Sequence, residues 1–229
     1  MHEQITAEEY DSWSEEQCAG IEIVDGMVVV RPSASKRHNR PARILANALD
    51  AAAGPEWNAD TDFDVRLQDV PLTNRRPDVV VYRADTIDIT PTRPEHVLLV
   101  AEVVSPGSET TDRIVKVDQY AKAGIGFYWR IEQAATGVPL VYTYVLDPAT
   151  RTYRDGDIFT GVLKVAAPFP AEVDLGQVEP SDRTMGGLPN AVGKSASSGR
   201  APSRPGMNGH PARWSLCPGR LWADDAGLG

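Results

Sequence analysis

Two acids stand in matching surroundings. Asp78 lies in the run RRPDVVVY (75–82) and Glu102 in VLLVAEVVSP (97–106), and each is the single acid of a segment rich in valine and leucine. The connector 84–96 holds two prolines and no periodic stretch, so both runs are expected to be strands joined by a loop. Paired antiparallel with Arg83 opposite Val97, facing residue numbers sum to 180 and Asp78 falls opposite Glu102. Directly opposed side chains have Cβ atoms roughly 5 Å apart, and like charges there repel. A divalent cation offsets that repulsion. Carboxylates are hard oxygen donors suited to Mg²⁺ or Mn²⁺, and the backbone carbonyl of Val103 offers a third oxygen.

A third element brings a cation. Asp112, Lys116 and Tyr120 follow at i, i+4 and i+8, one face of a helix. If that helix folds back on the sheet after the Ser105-Pro106-Gly107 turn, Lys116 reaches the carboxylate pair. A lysine beside a scissile phosphate can orient the attacking water and offset charge on the phosphorane. Each residue also has a plainer reading. Lys116 can be a surface lysine, Asp78 can cap Arg75 or Arg76, and Glu102 can pair with Lys116 without any metal. Glu102 is flanked by Val100, Ala101, Val103 and Val104, so an unpaired solvent-facing role does not suit it.

Other candidates are weaker. Lys36, Arg37 and His38, with Arg40 and Arg43, form a basic run suited to DNA-backbone phosphates or to an ordinary exposed loop. His38 fits a phosphate contact or loop residue better than a metal ligand. Ser105 in EVVSPG lacks a glycine-flanked nucleophile elbow, and spacing suggests no acid–base partner for it. Gly124 and Gly126 do not open a phosphate-cradling GxGxxG loop. Tyr128 and Trp129 read as core.

The chain has 229 residues, 41% of them hydrophobic, enough for one sizeable core. A net charge of −9 argues against coating nucleic acid by bulk electrostatics, though not against a local basic groove. Cys18 and Cys217 lie far apart, which suits free thiols in a reducing compartment rather than a disulfide or zinc site. No window approaches the ~18 apolar residues of a membrane span. The start, MHEQITAEEY, is polar and acidic, unlike a secretory signal. A soluble, cytoplasmic protein with no membrane partner is expected.

Residues 179–229 differ in kind: 9 Gly and 6 Pro, with a net charge of +2. This Gly/Pro-rich tail is expected to be disordered, with a short anchor through Trp214, Leu216, Leu221 and Trp222 as the alternative. Within 1–178, Thr6 and Glu9 form a capping box for a short helix over 6–13. Residues 20–30 form a hairpin turning at Asp25-Gly26. Residues 31–37 are a polar loop, and 39–53 a helix capped by Asn39 with Pro41 in its first turn. Strands are expected over 62–69, 127–132 and 140–146, a helix over 111–123, and a small β element around Tyr153 to Val165. The fold class is α/β: a mixed central sheet flanked by helices, with an N-terminal helix–hairpin extension.

These residues, taken in order, resemble the Uma-two family of restriction-endonuclease-like proteins in the PD-(D/E)xK nuclease superfamily. The resemblance rests on Arg76-Pro77-Asp78, Glu102-Val103 with Ser105-Pro106, Asp112, Lys116 and Tyr120. It extends to Ala123-Gly124-Ile125 and Phe127-Tyr128-Trp129, to ITAEEYDSW and IEIVDGMVV at the start, and to FPAEVDLGQV at the end. It implies a restriction-endonuclease-like fold and metal-dependent hydrolysis of DNA phosphodiesters, with Asp78, Glu102 and Lys116 catalytic. Two residues beyond the second acid, where the superfamily carries its lysine, stands Val104, and Lys116 takes that role by resemblance. Glu22 and His38 match recurring family positions, Glu22 as an additional acid near the metal. Members of the superfamily often cut both strands as homodimers.

Overall fold

The structure is a computed structural model that describes residues 4–105, 107–134 and 137–176; Pro106 and the expected tail lie outside the described residues. Two short helices lead, α1 (Ala7–Asp11) and α2 (Glu15–Cys18), capped by Thr6 and Ser14. The hairpin β1 (Ile21–Val24) and β2 (Met27–Val30) turns at Asp25 and Gly26, both with positive φ. A Cβ on Gly26 would come 2.7 Å from the Cβ of Gln4, so the turn needs glycine for space as well as for dihedral.

Helix α3 spans Lys36–Ala52. It begins three residues before the expected start because Ser35, not Asn39, is the cap, its hydroxyl accepting from the His38 N–H at 3.2 Å. Pro41 therefore sits inside the helix rather than in its first turn. Lys36, Arg37 and His38, expected in a loop, form the first helical turn. Acids normally occupy that position, because the helix N-terminus carries partial positive charge. Three basic side chains there oppose local helix stability and make the helix end attractive to anions.

Strands β3 (Trp57–Asp60), β4 (Val65–Asp69) and β5 (Leu72–Arg75) follow, then β6 (Val79–Arg83) and β7 (Val97–Val103). The run 75–82 is thus two strands. Pro77, which has no N–H to donate to a ladder, breaks it between Arg75 and Val79. After β7 comes a π-turn (Thr111–Val115) leading into α4 (Lys116–Ala123), which Gly124 ends in the left-handed conformation at φ 93°. Strands β8 (Phe127–Gln133), β9 (Pro139–Asp147), β10 (Thr152–Thr160), β11 (Val162–Val165) and β12 (Ala171–Asp174) complete the order.

The central sheet has the order β10-β9-β8-β7-β6-β3, with β7 and β8 parallel across the α4 connection and the other pairs antiparallel. A second sheet, β2-β1-β5-β4, carries the hairpin. Strand β4, inside the expected strand 62–69, belongs to that second sheet, while β3, whose WNAD carries no alternating pattern, edges the central one. Strands β11 and β12 pair alone.

Residues of β6 and β7 alternate between two cores. Val79, Val81, Leu99, Ala101 and Val103 face α3 and its Leu45 and Leu49. Val80 and Val100 face the other way, against Tyr120 of α4 and Tyr128 of β8. Trp129 lies on the α3 side. Glu102 shares the parity of Val100, so its carboxylate enters the α4 side of a sheet buried on both faces.

Candidate active site

The β6–β7 register follows the expected sum of 180 at Val79↔Ala101, Val80↔Val100 and Val81↔Leu99. It fails at the far end, where a bulge between Val81 and Tyr82 pairs Tyr82, not Arg83, with Val97. Arg83 pairs with Trp57 instead. Continued the other way, the register brings Asp78 level with Glu102, but Asp78 precedes the strand and is not a ladder partner. The Asp78 side chain takes over where the ladder stops: its Oδ2 accepts the Val103 N–H at 2.7 Å.

Asp78 and Glu102 are both buried, and each is gripped from a different side. Asp78 Oδ1 lies 3.0 Å from His38 Nε2 and 3.3 Å from Arg31 Nη2. Burial pushes its carboxyl up, but His38, the Val103 amide and Lys116 together hold it below the usual range. His38 is raised in turn, chiefly by that hydrogen bond. Neither Arg75 nor Arg76 holds Asp78; Arg75 pairs with Glu22 and Arg76 with Asp62 and Asp64.

Glu102 accepts from Tyr120 Oη at 2.6 Å through Oε1 and meets Lys116 Nζ at 2.9 Å through Oε2. Complete burial pushes its carboxyl up to about 8; Lys116 opposes this, while Asp78, Asp112 and Glu22 add to it. Lys116 also reaches Asp112 Oδ1 at 3.3 Å and Glu22 Oε1 at 3.7 Å. Its own burial disfavours the ammonium, but these three carboxylates win and raise its pKa. Lys116 therefore stays protonated and can donate protons but not accept them. Its N–H bonds the Thr111 carbonyl five residues back, and Tyr128 Oη donates to the Asp112 carbonyl at 2.7 Å. This π-turn presents Asp112 and Lys116 together; such turns often occur at functional sites.

Glu22 sits in the same cluster, but its oxygens already have partners: Arg75 Nη1 at 2.7 Å and the Arg76 N–H at 3.0 Å. Burial raises its pKa, and Lys116, Arg75 and the Arg76 amide bring it below the usual value. Arg31 and Arg75 were missed by the sequence reading. Only their placement, one after a hairpin and one before Arg76-Pro77, hinted at a role.

Ser105 does acquire neighbours. Its Oγ is 3.4 Å from His38 Nδ1, beyond which stands Asp78. The order of acid, imidazole and hydroxyl is that of a hydrolase triad. However, the hydroxyl contact is loose at 3.4 Å, and EVVSPG lacks the strained elbow that would aim Oγ at a substrate.

A groove of about 640 Å³ opens at Asp78 and is lined by Arg31, Lys36, His38, Arg40 and Arg43. Of the expected basic run, Arg37 alone lies off this groove, beside a smaller cavity. Among the described residues no helix is long and apolar enough to cross a membrane.

The mixed six-stranded sheet, covered by α3 and α4, with an acid just before β6 and another near the end of β7, defines a restriction-endonuclease-like α/β protein. The Uma2 family model, described as "Putative restriction endonuclease", matches residues 7–170, and the chain belongs to that family. Its structure is similar to that of a protein from Anabaena variabilis described as a "putative nuclease belonging to DUF820". The two are 17% identical, with a TM-score of 0.54 over 72% of this chain and 89% of that one. No curated protein matches the chain.

The family description raises the question of a divalent cation. Among the described residues no three His, Cys, Asp or Glu side chains form a group arranged to hold a metal ion. The available donors are the carboxylates of Asp78 and Glu102 and the Val103 carbonyl. Their chemistry, two carboxylates and a carbonyl, fits a hard cation.

Proposed function

We propose that the chain is a divalent-metal-dependent nuclease that hydrolyses DNA phosphodiesters. Asp78 and Glu102, with the Val103 carbonyl, would hold Mg²⁺ or Mn²⁺. When bound, the cation lowers the pKa of a coordinated water and stabilises charge on the phosphate oxygens. The protein's own groups do the rest. His38 and Arg31 fix Asp78, and Tyr120 fixes Glu102. Lys116, kept protonated, directs N–H donors toward the attacking water and the developing negative charge. The groove from Arg31 to Arg43, with the basic first turn of α3, suits a phosphodiester backbone. Cutting both strands of a duplex would call for a homodimer, and a cytoplasmic location suits that substrate.

The observation that carries this reading is that Asp78 lines the basic groove while Glu102, buried on the adjacent strand, is held by Lys116. Plasmid cleavage in Mg²⁺ or Mn²⁺, abolished by EDTA and by Asp78→Ala, is the expected result; an Asp78→Ala protein that still cuts would remove the assignment.

One observation favours a second reading. Lys116 already neutralises Glu102, and Val104 stands where the superfamily lysine would be. The fold would then serve as a nucleic-acid-binding or interaction module without turnover. Calorimetric titration with Mn²⁺ separates the two: binding that disappears in Glu102→Ala supports the nuclease, and no binding in the wild type supports the module.

A further inference from the structure

Beyond His38 from the basic groove lies a second cavity of about 240 Å³. Pro41, Val104, Ile131 and Pro139 form apolar walls; Ser35, Ser105 and Gln133 add neutral hydrogen-bonding groups, and Arg37 and Glu132 stand at the lining as well, Glu132 paired with Arg113 and Arg130. His38 lines both spaces, its Nε2 side toward Asp78 and its Nδ1 side toward Ser105. Strand β7 connects them as well, since the Val103 N–H that Asp78 accepts belongs to a residue of the second cavity.

We propose that this cavity takes one unstacked nucleobase of the substrate, next to the phosphate held at Asp78. The inference rests on the nuclease reading and adds the substrate class: DNA that is single-stranded or locally unpaired at the cleavage point. A nucleotide joins an anionic phosphate to a flat, apolar-faced ring through one sugar. The two spaces present those chemistries in the same order, a cationic groove and then an apolar slot, with only an imidazole between. The slot falls below the ~300–1,000 Å³ of sites for drug-sized ligands, so it suits a single ring system. A stacked base inside a duplex cannot reach such a slot, whereas an unpaired one enters without loss of pairing. Gln133 Nε2 bonds the Gly137 carbonyl at 3.1 Å, and its Oε1 can accept from an exocyclic amine. The Ser105 hydroxyl can donate to or accept from a ring edge.

The test uses the full chain and a short fluorescein-labelled oligodeoxynucleotide, either single-stranded or annealed to its complement. Anisotropy is read in EDTA and again in Ca²⁺. The single strand should bind about tenfold more tightly than the duplex, the scale of one stacked base. Val104→Phe, which fills the slot, should erase that preference by weakening the single strand alone. Abasic nucleotides introduced one at a time along the single strand should reproduce the loss at one position with wild-type protein, whether or not Val104→Phe folds. Equal affinity for both forms, or a single strand indifferent to both the abasic scan and the slot-filling variant, overturns the base site and leaves the nuclease reading standing. Failure of the wild type to bind either form overturns both.

Discussion

Lys116 Nζ lies 2.9 Å from Glu102 Oε2, one of three carboxylates that hold it in a buried site. The ammonium is what keeps this much negative charge inside the fold. Lys116→Met should therefore cost about 3–5 kcal/mol at pH 8, where Glu102, Glu22 and Asp112 lose their shared counter-charge and must take up protons or stay buried unpaired. The loss should shrink at pH 5, where Glu102 holds its own proton. Urea unfolding in EDTA at the two pH values measures it. An equal loss at both would show that Lys116 stabilises by packing rather than by charge.

Glu102 itself should trade stability for activity. Its folded pKa, about 8, lies above the unfolded value of 4.5. Between those values the folded state keeps a proton that the unfolded state has released, so stability falls as pH rises through that window. Glu102→Gln lacks this term. Relative to wild type, its stability should climb between pH 5 and pH 8 by up to a few kcal/mol. It should lose cleavage over the same range. A stability difference that stays flat with pH would mean that Glu102 is ionised throughout.

Much of the arrangement was legible in the chain. The two valine-rich runs, the β6–β7 register near 180, and Lys116 on the helix that returns to the sheet all follow from local pattern. What the pattern did not carry was the behaviour of chain breaks. Pro77 splits one apparent strand in two, leaving Asp78 at the ladder's end instead of within it, and the bulge at Tyr82 shifts the far pairing. Ser35 starts α3 early and turns a presumed loop into a basic helix end. The partners Arg31, Arg75 and Ser105 come from distant segments, and no spacing rule links 31 with 78, 22 with 75, or 38 with 105.

Glu22 and Arg75 form a buried pair at 2.7 Å, and Arg75 also donates to Gln119 Oε1 at 2.8 Å. Replacing Glu22 by Gln leaves the guanidinium without a counter-charge, at a cost of about 3–5 kcal/mol near neutral pH. The folded pKa of Glu22 lies below its unfolded 4.5. Its contribution is therefore complete above 4.5 and lost as pH falls through the folded value. Urea midpoints of wild type and Glu22→Gln should converge as pH drops from 7 toward 3. A gap that persists in acid would assign the effect to shape rather than to ionisation.

Lys36, at the start of α3, and Arg43, two turns further on, line the groove, and the nuclease reading makes them phosphate contacts. Such contacts release counterions, so each one removed should flatten the dependence of log affinity on log salt by about 0.7–0.9. Lys36→Ala and Arg43→Ala should weaken DNA binding evenly across sequences, since phosphates carry no base information. The double variant should lose about twice the slope of either single one, provided each lysine or arginine meets its own phosphate. Anisotropy titrations over a range of KCl concentrations read this directly. An unchanged slope would place the DNA path on another face of the sheet and leave the basic first turn of α3 without its proposed role.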